Sequence, residues 1–418
     1  MHNSPLDRRH FLQYTSASLL AGGMLSGVSK GQPLLGAEPS GPIKEVERTV
    51  VHSGYDGVYC WVHPRAGAIP GKTPSVVMTM QKLWLKGSDI FQPLKEMRTD
   101  DLGETWSGPS DTSFAHREEE GGITAGVCDF TPAWHAKTKT LLGIGHTVRY
   151  ENNHVQKGRR KRETSFATYD NDSRTWSDWD VVQMPDMKNK FYHSGAGCSQ
   201  RVDLPDGDLL IPFYFSDGIN PHRKVSVMRC AFDGKKVEYL EHGSELDIPT
   251  HRGALEPSLT YFQDEFFVTI RHGDGHGYVA RSKDGLQFSE PQPWKWDDGT
   301  ELSTGDTQQH WISHQDGFYL VFTYKREDNQ HVFRQRAPLF MAEVDPETLS
   351  LKKETLQVLV PERGARLGNF QVVTVSPQES WVTVTEWMQP VGCEKRGSDN
   401  SVYAVKIKWN TPNEYAVG

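Results

Sequence analysis

The sequence predicts an all-β protein whose strands are arranged radially, as in a β-propeller, and three observations carry that prediction. From residue 49 onward, short apolar or alternating runs rich in β-branched and aromatic residues recur, each bounded by Gly, Asp, Asn or Pro. Long segments with a 3.6-residue apolar period are missing. A turn pattern also recurs at the ends of several runs.

In chain order the runs include SVVMTM from Ser75, TLLGIGHTVRY from Thr140, DLLIPFYFS from Asp208, VSVMRCAF from Val225, FFVTIRH from Phe266, FYLVFTYK from Phe318, LFMAEV from Leu339, WVTVTEW from Trp381 and SVYAVKIKW from Ser401. Spread over about 350 residues with no Pro/Ser-rich linker, they exceed an ordinary sandwich. Radial repetition keeps so many strands in one domain without long exposed edges.

The chain has 418 residues, a net charge of −8, 36% hydrophobic and 11% aromatic residues. That is enough apolar material for a large core and excludes disorder. Mean hydropathy is −0.61, and beyond the first forty residues no apolar run approaches the roughly 20 residues needed to span a bilayer. Membrane insertion of the mature chain is therefore not expected. The acidic balance argues against nucleic acid as a partner, because such binding needs a basic face. Five Cys are scattered without a CxxC pair, so neither a metal site nor a cofactor is expected.

Residues 1–37 read as an address: Arg8 and Arg9 precede Phe11 and Leu12, then a Gly/Ala-rich apolar stretch ends near Ala37. This resembles a twin-arginine export signal, with a short anchor helix or an unstructured start as the alternative. The resemblance implies a periplasmic or extracellular protein, with residues 38–48 as a linker and 49–418 as the propeller. Removing this segment, which carries a net +2, takes the charge to −10.

The recurring turn is clearest from Thr99 to Trp106 (TDDLGETW), with a shorter copy from Ser282 to Phe288 (SKDGLQF) and a degraded one from Tyr169 to Trp176 (YDNDSRTW). In such a hairpin Asp caps backbone N–H groups, Gly takes a positive φ, and the aromatic packs the turn on its sheet. The three copies resemble the Asp-box repeats of the sialidase superfamily. That resemblance implies a six-bladed sialidase-like propeller from about residue 50 to 410, with the boxes on the rim away from the active site.

It also implies a site in which a Tyr nucleophile backed by a Glu avoids repulsion from the substrate carboxylate, which three arginines clamp. Arg65 in HPRAGAIPG is similar to the first clamp arginine, and Asp89 in KGSDIF to the acid/base aspartate. Ala254 to Gly285 reproduces the order of base Glu256, second clamp Arg271 and turn repeat. Arg334 or Arg336 in VFRQRAPLF supplies the third clamp, with Arg336 preferred because it leads directly into the LFMAEV strand. Tyr214 lines the pocket or packs in the core. Glu386 stands where the family's last Glu orients the first arginine.

The family's Tyr position reads Asn369-Phe370, neither of which is a nucleophile for this step. Tyr324 in FTYKRED is the candidate substitute. The alternative is direct attack by water with Glu256 or another carboxylate as base, which inverts the anomeric centre.

Among 17 His, His135, His146, His193, His251 and His310 fall beside these elements. Either they are structural, or a His or Tyr beside the arginines abstracts a proton from a uronic acid polymer. Asp129 and Asp306 read as turn caps or pocket carboxylates, with Asp129 the acid if Asp89 is not. The expected function is release of a terminal sialic acid or related acidic keto sugar from glycans. The alternatives are a hydrolase or lyase acting on another acidic polysaccharide, and a propeller lectin without catalysis.

Overall fold

A computed structural model describes residues 32–33 and 41–416, apart from 88, 186, 187 and 251. The expected export signal, except Gln32–Pro33 paired with Glu47 and Arg48, lies outside the described residues, as does His251. Among the described residues the only helices are short 3-10 turns, and no helix is long and apolar enough to cross a membrane.

The strands form six sheets of four to seven strands in a propeller-like arrangement. Their innermost strands are Tyr59–Ile69, Ile123–His135, His193–Gly195, Ala254–Phe262, His310–His314 and Gln371–Ser376. Each sheet packs on the next and the last on the first. The apolar clusters follow the same cycle. Phe130 shares a cluster with Val77, Ile211 with Ile144, Leu259 with Val225, Trp311 with Phe267, Val372 with Val321, and Trp381 with Met78. Because each sheet is covered on both faces, its central strands read as continuous apolar runs rather than strict alternation. Ser75–Trp84 and Leu209–Ser216 are buried almost throughout.

The last sheet takes its outer strand from the other end of the chain: Ile43–His52 runs antiparallel to Val402–Trp409. Residues 43–48, expected as part of a linker, are thus the start of a paired strand that satisfies the edge of the final sheet.

The three recurring turns all join the third strand of a sheet to its fourth. In the first, Asp101 Oδ1 accepts the Thr105 N–H at 2.9 Å, Gly103 has φ +82°, and Trp106 lies 6.1 Å from Trp381. In the second, Asp284 Oδ1 accepts the N–H groups of Leu286 and Gln287 while Gly285 has φ +74°. In the degraded copy Asp170 caps Asp172 and Ser173. Antiparallel order places these turns at the C-terminal ends of the innermost strands.

Near the axis, side-chain amides add to the backbone bonds between neighbouring sheets. Gln200 Oε1 accepts the Trp311 N–H at 2.7 Å, and Gln371 Oε1 that of Ala66 at 3.1 Å.

A candidate active site in a cationic cavity

A cavity of about 560 Å³ opens at the N-terminal ends of the innermost strands. A second, of about 530 Å³, lies at their opposite ends and has a largely neutral lining of Pro, Ala, Val, Ser and Thr. The first holds the chemistry: eight arginines line it against three carboxylates, Asp89, Asp129 and Glu256.

Local backbone geometry aims these side chains. His63, Asp129, Cys198, Glu256, Asp306 and Asn369, each within or beside the innermost strand of a successive sheet, have φ between +39° and +66°, and of these Asp129, Glu256 and Asn369 line the cavity. At His63, Asp129 and Glu256 the strand pairing also slips, as in a β-bulge. A bulge turns a side chain out of its sheet alternation. Left-handed backbone costs about 1 kcal/mol or more for a non-glycine residue, a strain that recurs where function needs a fixed direction.

Asp129 sits at the floor. Its Oδ1 accepts Arg65 Nη2 at 2.8 Å and Asn369 Nδ2 at 3.4 Å, and His63 and His146 each lie 3.6 Å from its carboxylate. Burial opposes its charge, but His63, Arg65 and His146 outweigh that and hold it far below the usual carboxylate range. Its ion pair with Arg65 favours the charged carboxylate, in contrast to the acid role expected of it if Asp89 is not the acid. Arg65 is fully buried beneath it and also donates to the Phe370 carbonyl at 3.3 Å. It is absent from the cavity lining, so it neutralises the floor rather than clamping a substrate.

Glu256 and Arg271 both line the cavity, joined by a 2.6 Å ion pair. Arg271 Nε donates to Asp306 Oδ1 at 2.9 Å, and Arg252 and Arg334 approach the same carboxylate at 3.4 and 3.8 Å. Burial opposes the Asp306 charge, but the arginines lower its pKa overall. Arg336, 3% exposed, donates to the Asp306 carbonyl, and its Nε has no partner. Both Arg334 and Arg336 reach the cavity, from a 3-10 turn over Phe333–Gln335 and the residue after it.

On the other side, Arg162 donates to the Tyr214 hydroxyl and, at 2.9 Å, to His146 Nε2. Tyr214 is the only tyrosine lining the cavity among the described residues. Burial pushes its pKa up to about 12 against the opposing Arg162 charge, so it stays a neutral phenol. Burial, with Arg162 and Arg223 beside it, pushes His193 down to about 2. Asp89, exposed and with φ +61°, lines the rim, and its carbonyl accepts the Tyr150 hydroxyl at 3.1 Å.

Two further expectations fail. Tyr324, two residues past the end of the strand Gly317–Phe322, packs against Trp296, Phe322 and Phe340; its hydroxyl accepts Arg326 at 3.0 Å. It does not reach the cavity. Glu386 is buried away from Arg65, taking Arg363 at 2.9 Å and the N–H of Asp399 at 2.9 Å, while burial raises its pKa.

The sequence reading missed Arg160, Arg162, Arg223, Arg252 and Arg366. The basic run KGRRKRE signalled the first two; the others stand singly in loops and carry no local pattern. Cys128, Asp129 and His146 bring donor atoms within 4.8 Å of one another. Guanidinium groups of Arg65 and Arg162 already contact that carboxylate and imidazole, which opposes a further cation.

No protein-family model and no curated protein sequence matches the chain. Solved structures do. A Dyadobacter fermentans protein of unknown function superposes with a TM-score of 0.64 at 13% identity, covering 88% of this chain and 100% of its own. The Hadza microbial sialidase Hz136 gives 0.59 at 15% identity, covering 88% and 70%. The Trypanosoma rangeli sialidase gives 0.53 at 12%, covering 90% of this chain but 57% of its own. The chain thus has a sialidase-like fold.

Proposed function

We propose that the six sheets are the blades of a six-bladed sialidase-type propeller, with the three turns as its Asp boxes, and that the protein is a glycoside hydrolase releasing a terminal acidic sugar from glycans after export by the twin-arginine route. The observation that carries this reading is Glu256: its Oε1 is held by Arg271, while its buried Oε2 has no hydrogen-bond partner and belongs to a residue lining the arginine-rich cavity.

In this reading Arg271, Arg334 and Arg336 hold the substrate carboxylate by charge-assisted hydrogen bonds. Glu256 Oε2 takes a proton from water as the water oxygen bonds to the anomeric carbon, and Asp89 at the rim serves as the acid that delivers a proton to the glycosidic oxygen as its bond to that carbon breaks. Without a Tyr at Asn369, and with the Tyr214 hydroxyl taken up by Arg162, water attack inverts the anomeric centre.

The test incubates the protein with a fluorogenic sialoside and, separately, with uronic acid polysaccharides. Sialic acid release lost in Glu256→Gln and Arg271→Ala is the expected result. An unsaturated product identifies a lyase instead, and binding without turnover identifies a lectin.

A further inference from the structure

The cavity carries more guanidinium charge than one carboxylate needs. Eight lining arginines against three lining carboxylates leave an excess of five positive charges. Asp306 and Glu256 are concentrated at one side, around Arg271, Arg252 and Arg334. In the preceding two sheets, Arg160 and Arg162 come from the loop before Thr164–Asp170 in the second, and Arg223 precedes Lys224–Phe232 in the third.

Among the described residues, no carboxylate lies within ion-pair distance of Arg160, Arg162 or Arg223. Their polar partners are the carbonyls of Gln156 and Pro221, the His146 ring and the Tyr214 hydroxyl. The Nε of each is buried without a hydrogen-bond partner. The group is also fixed in place. Arg162 pairs by backbone with His193, Ser194 N–H donates to the Arg162 carbonyl at 3.0 Å, and the Arg223 backbone exchanges bonds of 2.8 Å with Arg252 and Ala254. Three guanidinium groups held together without a counter-ion repel one another, and burial with that repulsion brings Arg223 down to about 10.

We infer that Arg160, Arg162 and Arg223 form a second anion subsite, so that the protein takes an acidic oligosaccharide with two anionic groups, one at Arg271, Arg334 and Arg336 and the other, a carboxylate or a sulfate ester, at this cluster. The inference rests on the cavity being a glycan site, but it concerns binding and is independent of turnover.

Binding of three probes to the full chain tests it: an unsulfated chondroitin disaccharide with one carboxylate, its 4-sulfated form, and digalacturonate with two carboxylates. Either or both dianionic probes bind at least about tenfold tighter than the monoanionic one, the gain expected of added charge-assisted bonds. Preference for the sulfated form identifies a sulfate ester, and preference for digalacturonate identifies a second carboxylate. In Arg160→Met/Arg223→Met, with unfolding temperature checked against wild type, the preference disappears while affinity for the monoanionic probe stays.

Equal affinity for all three probes, no binding of any of them at low salt, or a double variant that weakens all three alike overturns the subsite. Loss of Glu256-dependent hydrolysis with the binding preference intact would instead defeat the catalytic reading alone.

Discussion

Glu256 and Arg271 are joined at 2.6 Å across adjacent antiparallel strands, and the pairing occupies only one of the two carboxylate oxygens. The 15-residue spacing is one hairpin, whose bulge at Glu256 turns the carboxylate toward the cavity. The arginine thereby orients the carboxylate and leaves its second oxygen for chemistry.

Glu256→Gln keeps the shape and a hydrogen-bond acceptor for Arg271 but removes the base. We expect kcat to fall by about 10²- to 10⁴-fold with KM nearly unchanged. Steady-state kinetics on the active substrate checks this, and a KM effect without a kcat effect would sink the assignment.

Tyr324→Phe should leave kcat/KM unchanged, because its hydroxyl meets only Arg326 between two sheets. Tyr214→Phe should lower the rate without changing product stereochemistry. NMR of the first-formed anomer is decisive: retention in the wild type would contradict attack by water.

Asp129→Asn leaves Arg65 buried and uncompensated, and should cost about 3–5 kcal/mol in urea unfolding. The double variant Arg65→Met/Asp129→Leu should lose less than Asp129→Asn, since both charges leave together. Equal losses would mean that the pair is not coupled. The Asp129 contribution is present above the ordinary carboxylate range near pH 4 and is lost only as pH falls toward its much lower folded value.

Acid should weaken the fold well before carboxylates titrate. His193, pushed down to about 2, stays neutral when folded, whereas the unfolded imidazole takes a proton near pH 6.5. Below that pH the unfolded chain binds more protons, so stability falls as pH drops toward 2, by about 2 kcal/mol from this residue at pH 5. His63 and His146, also lowered chiefly by burial, add the same sign. Unfolding of wild type and His193→Gln at pH 7 and pH 5 should show a smaller pH dependence in the variant; equal dependence would refute it.

Much of the arrangement was legible where neighbouring residues cause it. The turns at Thr99, Tyr169 and Ser282 are local hydrogen-bonded motifs, and Glu256 with Arg271, singled out by the resemblance to the sialidase superfamily, is one hairpin, so the short spacing was enough to bring them together. Tyr324 was misplaced because the packing of its ring against Trp296 and Phe340 exists only once the fifth sheet has folded. Arg65 was misread because its partner Asp129 lies 64 positions away. The same distance effect hid Arg160, Arg162 and Arg223, which become a cluster only when the second and third sheets stand side by side.

By itself the sequence determined the all-β class and the radial repetition, because runs of apolar residues and turn chemistry act over a few residues. Tertiary structure alone decided that Ile43–His52 closes the last sheet, that Asp129 is locked in ion pairs, and that arginines from separate sheets converge on one cavity. Those outcomes depend on which side chains meet across the ring, and the pairwise electrostatics and burial that fix them do not exist until the ring is closed.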